Sequence, residues 1–172
     1  MKSMVLKIFG GFLFTKEEEL FVTPQKNLSS FKNKEIFTLG TSTRSPSEFL
    51  EILRYYQIEL VIDVRRWPSS KKFPQYNKAS LEKLLREVRI EYLHLEELGG
   101  FRKESYEEYM KSEDFLRSLY KVIEMAEKRR VCLICAERFP WNCHRRFIAS
   151  ALKERGFLVK HILELGRIYE PK

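Results

Sequence analysis

The chain has 172 residues, 44% of them hydrophobic, and carries a net charge of +8 with a pI near 9.4. That length suits one domain with a sizeable core, and no apolar run is long enough to span a bilayer as a helix. Three cysteines are too few for a disulfide framework and fit a reducing, cytoplasmic setting, while the basic excess fits either an anionic partner or a solvated ion-rich surface.

The start, MKSMVLKIFGGFLF, is interrupted by Lys7, is followed by Glu17-Glu18-Glu19 and lacks a small-residue cleavage site. It reads as strand, with a hairpin turn near Gly10-Gly11, and not as a signal peptide. The polar stretch TPQKNLSSFKNKE reads as a linker. Residues 1–34 therefore form an N-terminal extension, and 35–172 an α/β domain.

Within that domain the pattern alternates. IFTLG (36–40) is a buried-strand run. Ser45-Pro46-Ser47-Glu48 is a capping box with proline at the first helical position, and a helix with apolar residues from Phe49 to Tyr56 comes next. LVIDV (60–64) is the second strand; Asn77 can cap a helix carrying Leu81, Leu84, Leu85 and Val88. EYLHL (91–95) is the third strand, and Ser112 can cap a long helix from Phe115 to Ala126. VCLIC (131–135) is the fourth, Asn142 can cap a helix that Gly156 ends, and FLVKHIL (157–163) is the fifth. Strands that are continuously apolar and alternate with helices predict a mainly parallel five-stranded sheet with helices on both faces.

Ligands in open sheets of this kind bind beyond the carboxyl ends of the strands, so the segment after each strand is informative. Thr41, Ser42 and Arg44 follow the first strand, where hydroxyls and a helix N-terminus can hold an anion or merely cap the helix. Asp63 ends the second. Between residues 64 and 80 come Arg65, Arg66, Lys71, Lys72 and Lys78 with no acidic residue, interleaved with Trp67, Phe73 and Tyr76 and leading to Asn77. Guanidinium groups neutralise phosphates and aromatic faces stack on bases. After the third strand, Gly99 and Gly100 can bring backbone N–H groups close to an anion, or form a tight turn. After the fourth comes CAERFPWNCHRR (135–146), holding Cys135, Glu137, Trp141, Cys143, His144 and Arg145.

Cys132 and Cys135 lie three apart on a strand and point to opposite faces, so they form no ligand or redox pair. Cys135, Cys143 and His144 could supply three metal ligands, with Glu137 or His94 as a fourth. The C-x7-C-H spacing matches no common zinc pattern, and no metal or cofactor is expected. A thiol at a helix start is favoured as thiolate. Glu137 and Asp63 each read either as a salt-bridge partner or as an acid, base or electrostatic group for hydrolysis.

The segments GTSTRSPSEF, DVRRWP, PQYN, ELGG, CAE and CHRR, in that order between about residues 35 and 166, resemble the family called domain of unknown function 488. That resemblance implies a compact α/β domain whose motifs gather at one site including Asp63, Arg65, Cys135, Glu137, Cys143, His144 and Arg145. It names no reaction. A looser similarity, LVIDVR with VCLIC and ALKERGF, resembles rhodanese-like sulfurtransferases and would make Cys135 a nucleophile. The loop after Cys135 is longer than in that family and contains proline and tryptophan.

The expected function is an enzyme acting on a phosphate-bearing substrate, nucleic acid (DNA) or a nucleotide, by hydrolysis of the repair or glycosylase type. Glu137 and Asp63 would be its acid–base groups, with Cys135 and His144 as further catalytic candidates. Arg44, Arg65, Arg66 and Arg145 would hold phosphate, and Trp67, Tyr76 and Trp141 would stack. Thr41, Ser42, Asn77, Gly99, Gly100 and Cys143 complete the binding set. The alternatives are a sulfurtransferase using Cys135 and a non-catalytic nucleic-acid-binding module.

Overall fold

The computed structural model describes residues 35–171 and, near the N-terminus, two short strands, β1 (Ile8–Phe9) and β2 (Phe12–Leu13). These pair antiparallel, Ile8 opposite Leu13 and Phe9 opposite Phe12, which places the hairpin where the Gly10-Gly11 dipeptide predicts it. The reading of a linker falls outside the described residues.

The main sheet is built from β3 (Glu35–Gly40), β4 (Leu60–Asp63), β5 (Glu91–His94), β6 (Val131–Cys135), β7 (Leu158–Glu164) and β8 (Arg167–Tyr169), in the spatial order β5-β4-β6-β3-β7-β8. Every pairing is parallel except β7 with β8. The five expected strands are present. The sixth, β8, corrects the count: the chain reverses at Gly166, whose φ of 71° is the left-handed conformation glycine adopts without steric cost, and three residues return along the edge. A three-residue exposed strand carries too little periodicity to read from sequence.

Successive side chains of a strand face opposite sides of the sheet, and the core divides accordingly. Ile36, Leu60, Ile62, Val131, Leu133 and Val159 pack on one face with Phe115, Leu119, Val122, Ile148 and Leu152, residues of α4 (Glu113–Lys128) and α5 (Arg145–Lys153). Phe37, Leu39, Val61, Cys132, Ile134 and Ile162 pack on the other with Phe49, Ile52, Leu53, Leu81 and Leu85, residues of α1 (Pro46–Tyr55) and α2 (Lys78–Glu87). A four-residue helix, α3 (Tyr106–Tyr109), lies between β5 and α4. The protein is thus an α/β fold with helices on both faces, as the alternating pattern predicts. Among the described residues no helix is long and apolar enough to cross a membrane.

The predicted caps fare unevenly. Ser45 and Ser112 accept the N–H groups of Glu48 and Phe115, at 3.1 and 3.3 Å. Asn77 stands before α2 but turns its Oδ1 to the Ser70 N–H at 2.6 Å, pinning the preceding basic loop. Asn142 does not cap α5: it ends a 3-10 turn, Pro140–Asn142, and His144 occupies the N-cap position.

Strand order decides which loops meet. The chain enters at β3, moves out to β4 and β5, and returns to lay β6 between β4 and β3. The loops after β4, β5 and β6 therefore converge at one end of the sheet, where the strand order reverses.

Candidate functional site

At that end is a pocket of about 430 Å³. Its walls are Arg65, Arg66 and Trp67 after β4, Gly100, Phe101, Arg102, Glu104 and Tyr106 after β5, and Cys135, Ala136, Glu137, Asn142, Cys143 and His144 at and after the end of β6. The loops approach so closely that a Cβ on Gly99 would stand 2.6 Å from the backbone N and Cα of Arg66. Only a glycine fits there. Of the residues expected from sequence, Arg65, Arg66, Trp67, Gly100, Cys135, Glu137, Cys143 and His144 all reach the pocket.

At its floor three donor atoms, Cys135 Sγ, Cys143 Sγ and His144 Nδ1, lie within 4.8 Å of one another. Nδ1 is 4.0 Å from the first sulfur and 3.8 Å from the second. His144 Nε2 lies 3.0 Å from the Val64 carbonyl oxygen. A carbonyl only accepts, so Nε2 carries the hydrogen and Nδ1 presents a lone pair to the sulfurs. The Tyr106 ring packs on the imidazole at 5.3 Å, itself stacked on Phe147 and tied through its hydroxyl to the Leu98 carbonyl at 2.7 Å.

The two thiols share a charge unequally. The Cys143 pKa is held far below the thiol range, first by the Cys135 thiol donating to it and further by the Arg145 charge, against the cost of burial. Cys135 moves the other way because it is the donor to Cys143 and is buried; the Glu137 backbone N–H pulls weakly back. Arg145 supports this from behind: its Nε is 3.4 Å from Cys143 Sγ, and its Nη2 donates to the Glu137 carbonyl at 2.5 Å.

The Glu137 side chain is exposed and lines the same pocket. Its carboxylate forms no ion pair among the described residues: Arg145 takes the Glu137 backbone carbonyl, and Arg138 pairs with Glu164 at 3.5 Å. At the mouth, Trp67 and Phe101 are 62% and 85% exposed with ring centroids 6.0 Å apart, and the Arg66 guanidinium lies 5.1 Å from the Trp67 ring centroid. Phe101 has a φ of 57°, a left-handed conformation that is costly for an aromatic residue.

Several expected site residues serve the framework instead. Asp63 is fully buried; it accepts from Arg65 Nε at 2.9 Å and Nη2 at 2.6 Å, from the Arg65 backbone at 3.0 Å and from the Tyr92 hydroxyl at 2.9 Å. Both its oxygens are used, so it has none to offer a substrate. Arg44 is also buried, paired with Glu48 and the Leu163 and Gly40 carbonyls. Tyr76 is buried with its hydroxyl on the Arg44 carbonyl at 3.0 Å and cannot stack on a ligand. Arg145 is buried under the β6–α5 loop. Thr41 is buried, its N–H on the Cys135 carbonyl at 2.8 Å, and the Ser42 N–H binds the Ala136 carbonyl at 2.9 Å; both close the β3–β6 end. Trp141 stacks on Phe139 at 4.9 Å outside the pocket wall. His94 Nε2 is 2.7 Å from the Arg65 carbonyl, which leaves it outside the sulfur–imidazole cluster.

Phe101, Arg102, Glu104 and Tyr106 also line the pocket, and no sequence motif singles them out; Asn142 lines it too, though the sequence offers it only as a helix cap. Phe101 and Arg102 directly follow the glycine pair, so the rule of reading past each strand reaches them. Arg102 donates to the Glu97 carbonyl at 2.8 Å and lies 3.8 Å from the Tyr109 ring centroid. Tyr106 comes from a helix that folds back, and no periodic signal announces it.

Neither a curated protein nor a solved structure matches the chain. A family model does, over residues 45–152, a span that takes in the basic loop, the glycine pair and all three donors of the pocket floor. The chain belongs to the family described as domain of unknown function DUF488.

Proposed function

We propose that the protein is an enzyme acting on a phosphate-bearing substrate, nucleic acid or a nucleotide, by hydrolytic chemistry in this pocket. One observation carries the reading: exposed aromatic rings, Trp67 and Phe101, stand beside Arg66 and Arg102 at the mouth of a pocket that also holds the Glu137 carboxylate, which has no salt-bridge partner among the described residues. A base stacks on an aromatic face while guanidiniums meet its phosphate. Arg66 and Arg102 spend hydrogen bonds on backbone carbonyls, those of Phe101, Glu96, Glu97 and Gly99. Carbonyls carry no net charge, so both cations still attract an anion. Arg65 contributes less, because Asp63 neutralises it.

Glu137 would activate the attacking water, a role open to an exposed carboxylate that no cation neutralises. A pocket of about 430 Å³ is of the size that takes a small ligand or one extruded nucleotide. The free thiols of Cys132, Cys135 and Cys143 fit a reducing, cytoplasmic setting.

Fluorescence anisotropy of labelled single- and double-stranded DNA against rising salt tests the binding half. Log affinity should fall linearly with log salt, and Arg66→Ala should reduce the slope by about one. No binding at low salt to either strand form, nor to nucleotides, overturns it. Product analysis with Glu137→Gln tests the chemistry: binding with undiminished turnover in that variant removes Glu137 from the reaction and leaves a different group to be found. Binding with no turnover of any strand in the wild type favours the non-catalytic module.

A further inference from the structure

We propose that Cys135, Cys143 and His144 form a binding site for one thiolate-seeking divalent ion of the zinc class, with its fourth coordination position open to the pocket. This goes beyond the phosphate-binding reading and does not depend on it.

The distances are the first argument. Zinc–sulfur bonds of about 2.3 Å and zinc–nitrogen bonds of about 2.0 Å at the tetrahedral angle separate sulfur from nitrogen by roughly 3.6 Å. His144 Nδ1 is 3.8 Å from Cys143 Sγ and 4.0 Å from Cys135 Sγ. Both are long for a direct hydrogen bond and close to what a shared ion imposes. All three atoms fall within 4.8 Å, so a small inward shift of the donors completes the set.

The second argument is orientation. A ligating imidazole characteristically donates its other N–H to a carbonyl or carboxylate. His144 does so to Val64, which fixes the tautomer that leaves Nδ1 free. Cys143 receives an N–H from Arg145, and Arg145 is anchored by Thr38 Oγ1 at 3.2 Å. Gly100 stands over the imidazole, where a Cβ would come within 3.0 Å of Nδ1; its absence keeps the lone pair accessible.

The third is the chemistry of the donor set. Two thiolates and a neutral imidazole balance the charge of a divalent ion, and soft sulfur donors select zinc over magnesium or calcium. Three protein ligands with an open position are the pattern of a site that binds a water or a substrate atom, whereas closed four-ligand sites are structural. His94 is held elsewhere by the Arg65 carbonyl, and Glu137 lines the pocket into which the fourth position opens.

The test uses the full chain with its thiols kept reduced. Equilibrium dialysis against zinc followed by elemental analysis should retain one ion per chain. Titration with cobalt(II) should give sulfur-to-cobalt charge-transfer absorption and the intense visible bands of a tetrahedral ion. Cys143→Ser and His144→Ala should each weaken binding by more than the roughly 10–100-fold that a lost outer partner costs, while Cys132→Ala should leave it unchanged. Failure of the wild type to retain zinc, or octahedral cobalt bands without sulfur charge transfer, overturns the proposal without recourse to any variant. Equal loss in Cys132→Ala also overturns it. DNA or nucleotide binding is measured separately, so either result stands alone.

Discussion

Arg145 Nε donates to Cys143 Sγ across 3.4 Å, and this sulfur is the one partner able to take a negative charge that a fully buried guanidinium finds among the described residues. Its other contacts are neutral: Thr38 Oγ1 and the Glu137 and Arg138 carbonyls. A buried cation left without a counter-charge is strongly destabilising. Cys143→Ser, which puts a hydroxyl that stays neutral in place of a sulfur whose ionisation the site favours, should therefore lower stability by about 2–4 kcal/mol. Cys132→Ala, which removes one core sulfur, should cost about 1–2 kcal/mol. Urea denaturation of the two variants compares them; equal losses would mean that Cys143 acts only as a small core residue.

The Asp63–Arg65 pair should separate structure from chemistry. Asp63→Asn leaves Arg65 buried and unpaired, with an expected loss of about 3–5 kcal/mol. Glu137→Gln, on an exposed loop, should change stability by less than about 0.5 kcal/mol while removing turnover. Chemical denaturation and product analysis of both variants check the contrast. A stable Asp63→Asn protein without activity would restore Asp63 to the reaction.

His161 titrates abnormally. Burial and the neighbouring Arg145 push its pKa down to about 4 from 6.5. Its Nδ1 lies 2.6 Å from Thr38 Oγ1, which accepts from Arg145 and so gives its own hydrogen to the ring. Between pH 6.5 and about 4 the unfolded chain binds a proton that the folded chain refuses. Stability therefore falls as pH drops through that window, by up to about 1.4 kcal/mol per unit. Denaturation midpoints measured across that window should fall less steeply in His161→Gln. A slope identical to that of the wild type would assign the acid sensitivity to other groups.

Phe101 holds an exposed ring on a left-handed backbone. Phe101→Gly relieves about 1–2 kcal/mol of backbone strain and returns about 0.5–1 kcal/mol of it as chain entropy. The variant should be as stable as the wild type or slightly more so. It should also bind DNA or nucleotide more weakly, because a stacked base is worth about 1–3 kcal/mol. Thermal melts and anisotropy on the same sample test both halves. Weaker stability with unchanged affinity would make Phe101 a packing residue.

Much of the fold is legible in the sequence because it rests on periodicity. The parallel strands are continuous apolar runs, and the serine caps sit where their side chains must accept an N–H. The alternation alone puts the loops that follow the parallel strands at one sheet edge, so reading past each strand reaches Arg65, Arg66, Trp67, Gly100, Cys135, Glu137, Cys143 and His144, although which of those loops meet depends on the strand order. Partnership is not legible. Whether a buried polar residue faces a pocket or a neighbour depends on contacts distant in sequence: Arg44 with the Leu163 carbonyl, Tyr76 with Arg44, Asp63 with Tyr92. The spacing of Cys135, Cys143 and His144 argues against a ligand set because it resembles no familiar linear pattern. The 3-10 turn at Pro140–Asn142 folds the intervening residues outward and brings the donors together.

That turn divides the β6–α5 loop into two regimes. Its base is clamped by Arg145 at Glu137 and Arg138, and its return is set by the His144 bond to Val64. Its crest, where Phe139 stacks on Trp141 and Trp141 meets Tyr169 edge-on, rests on the outer strand and stands apart from the three donors. Substitutions at the crest can accumulate without disturbing the donor geometry, whereas the base is held from several sides at once. Divergence among members of the family should therefore concentrate at Phe139 and Trp141, letting the surroundings of the pocket change while its floor stays fixed.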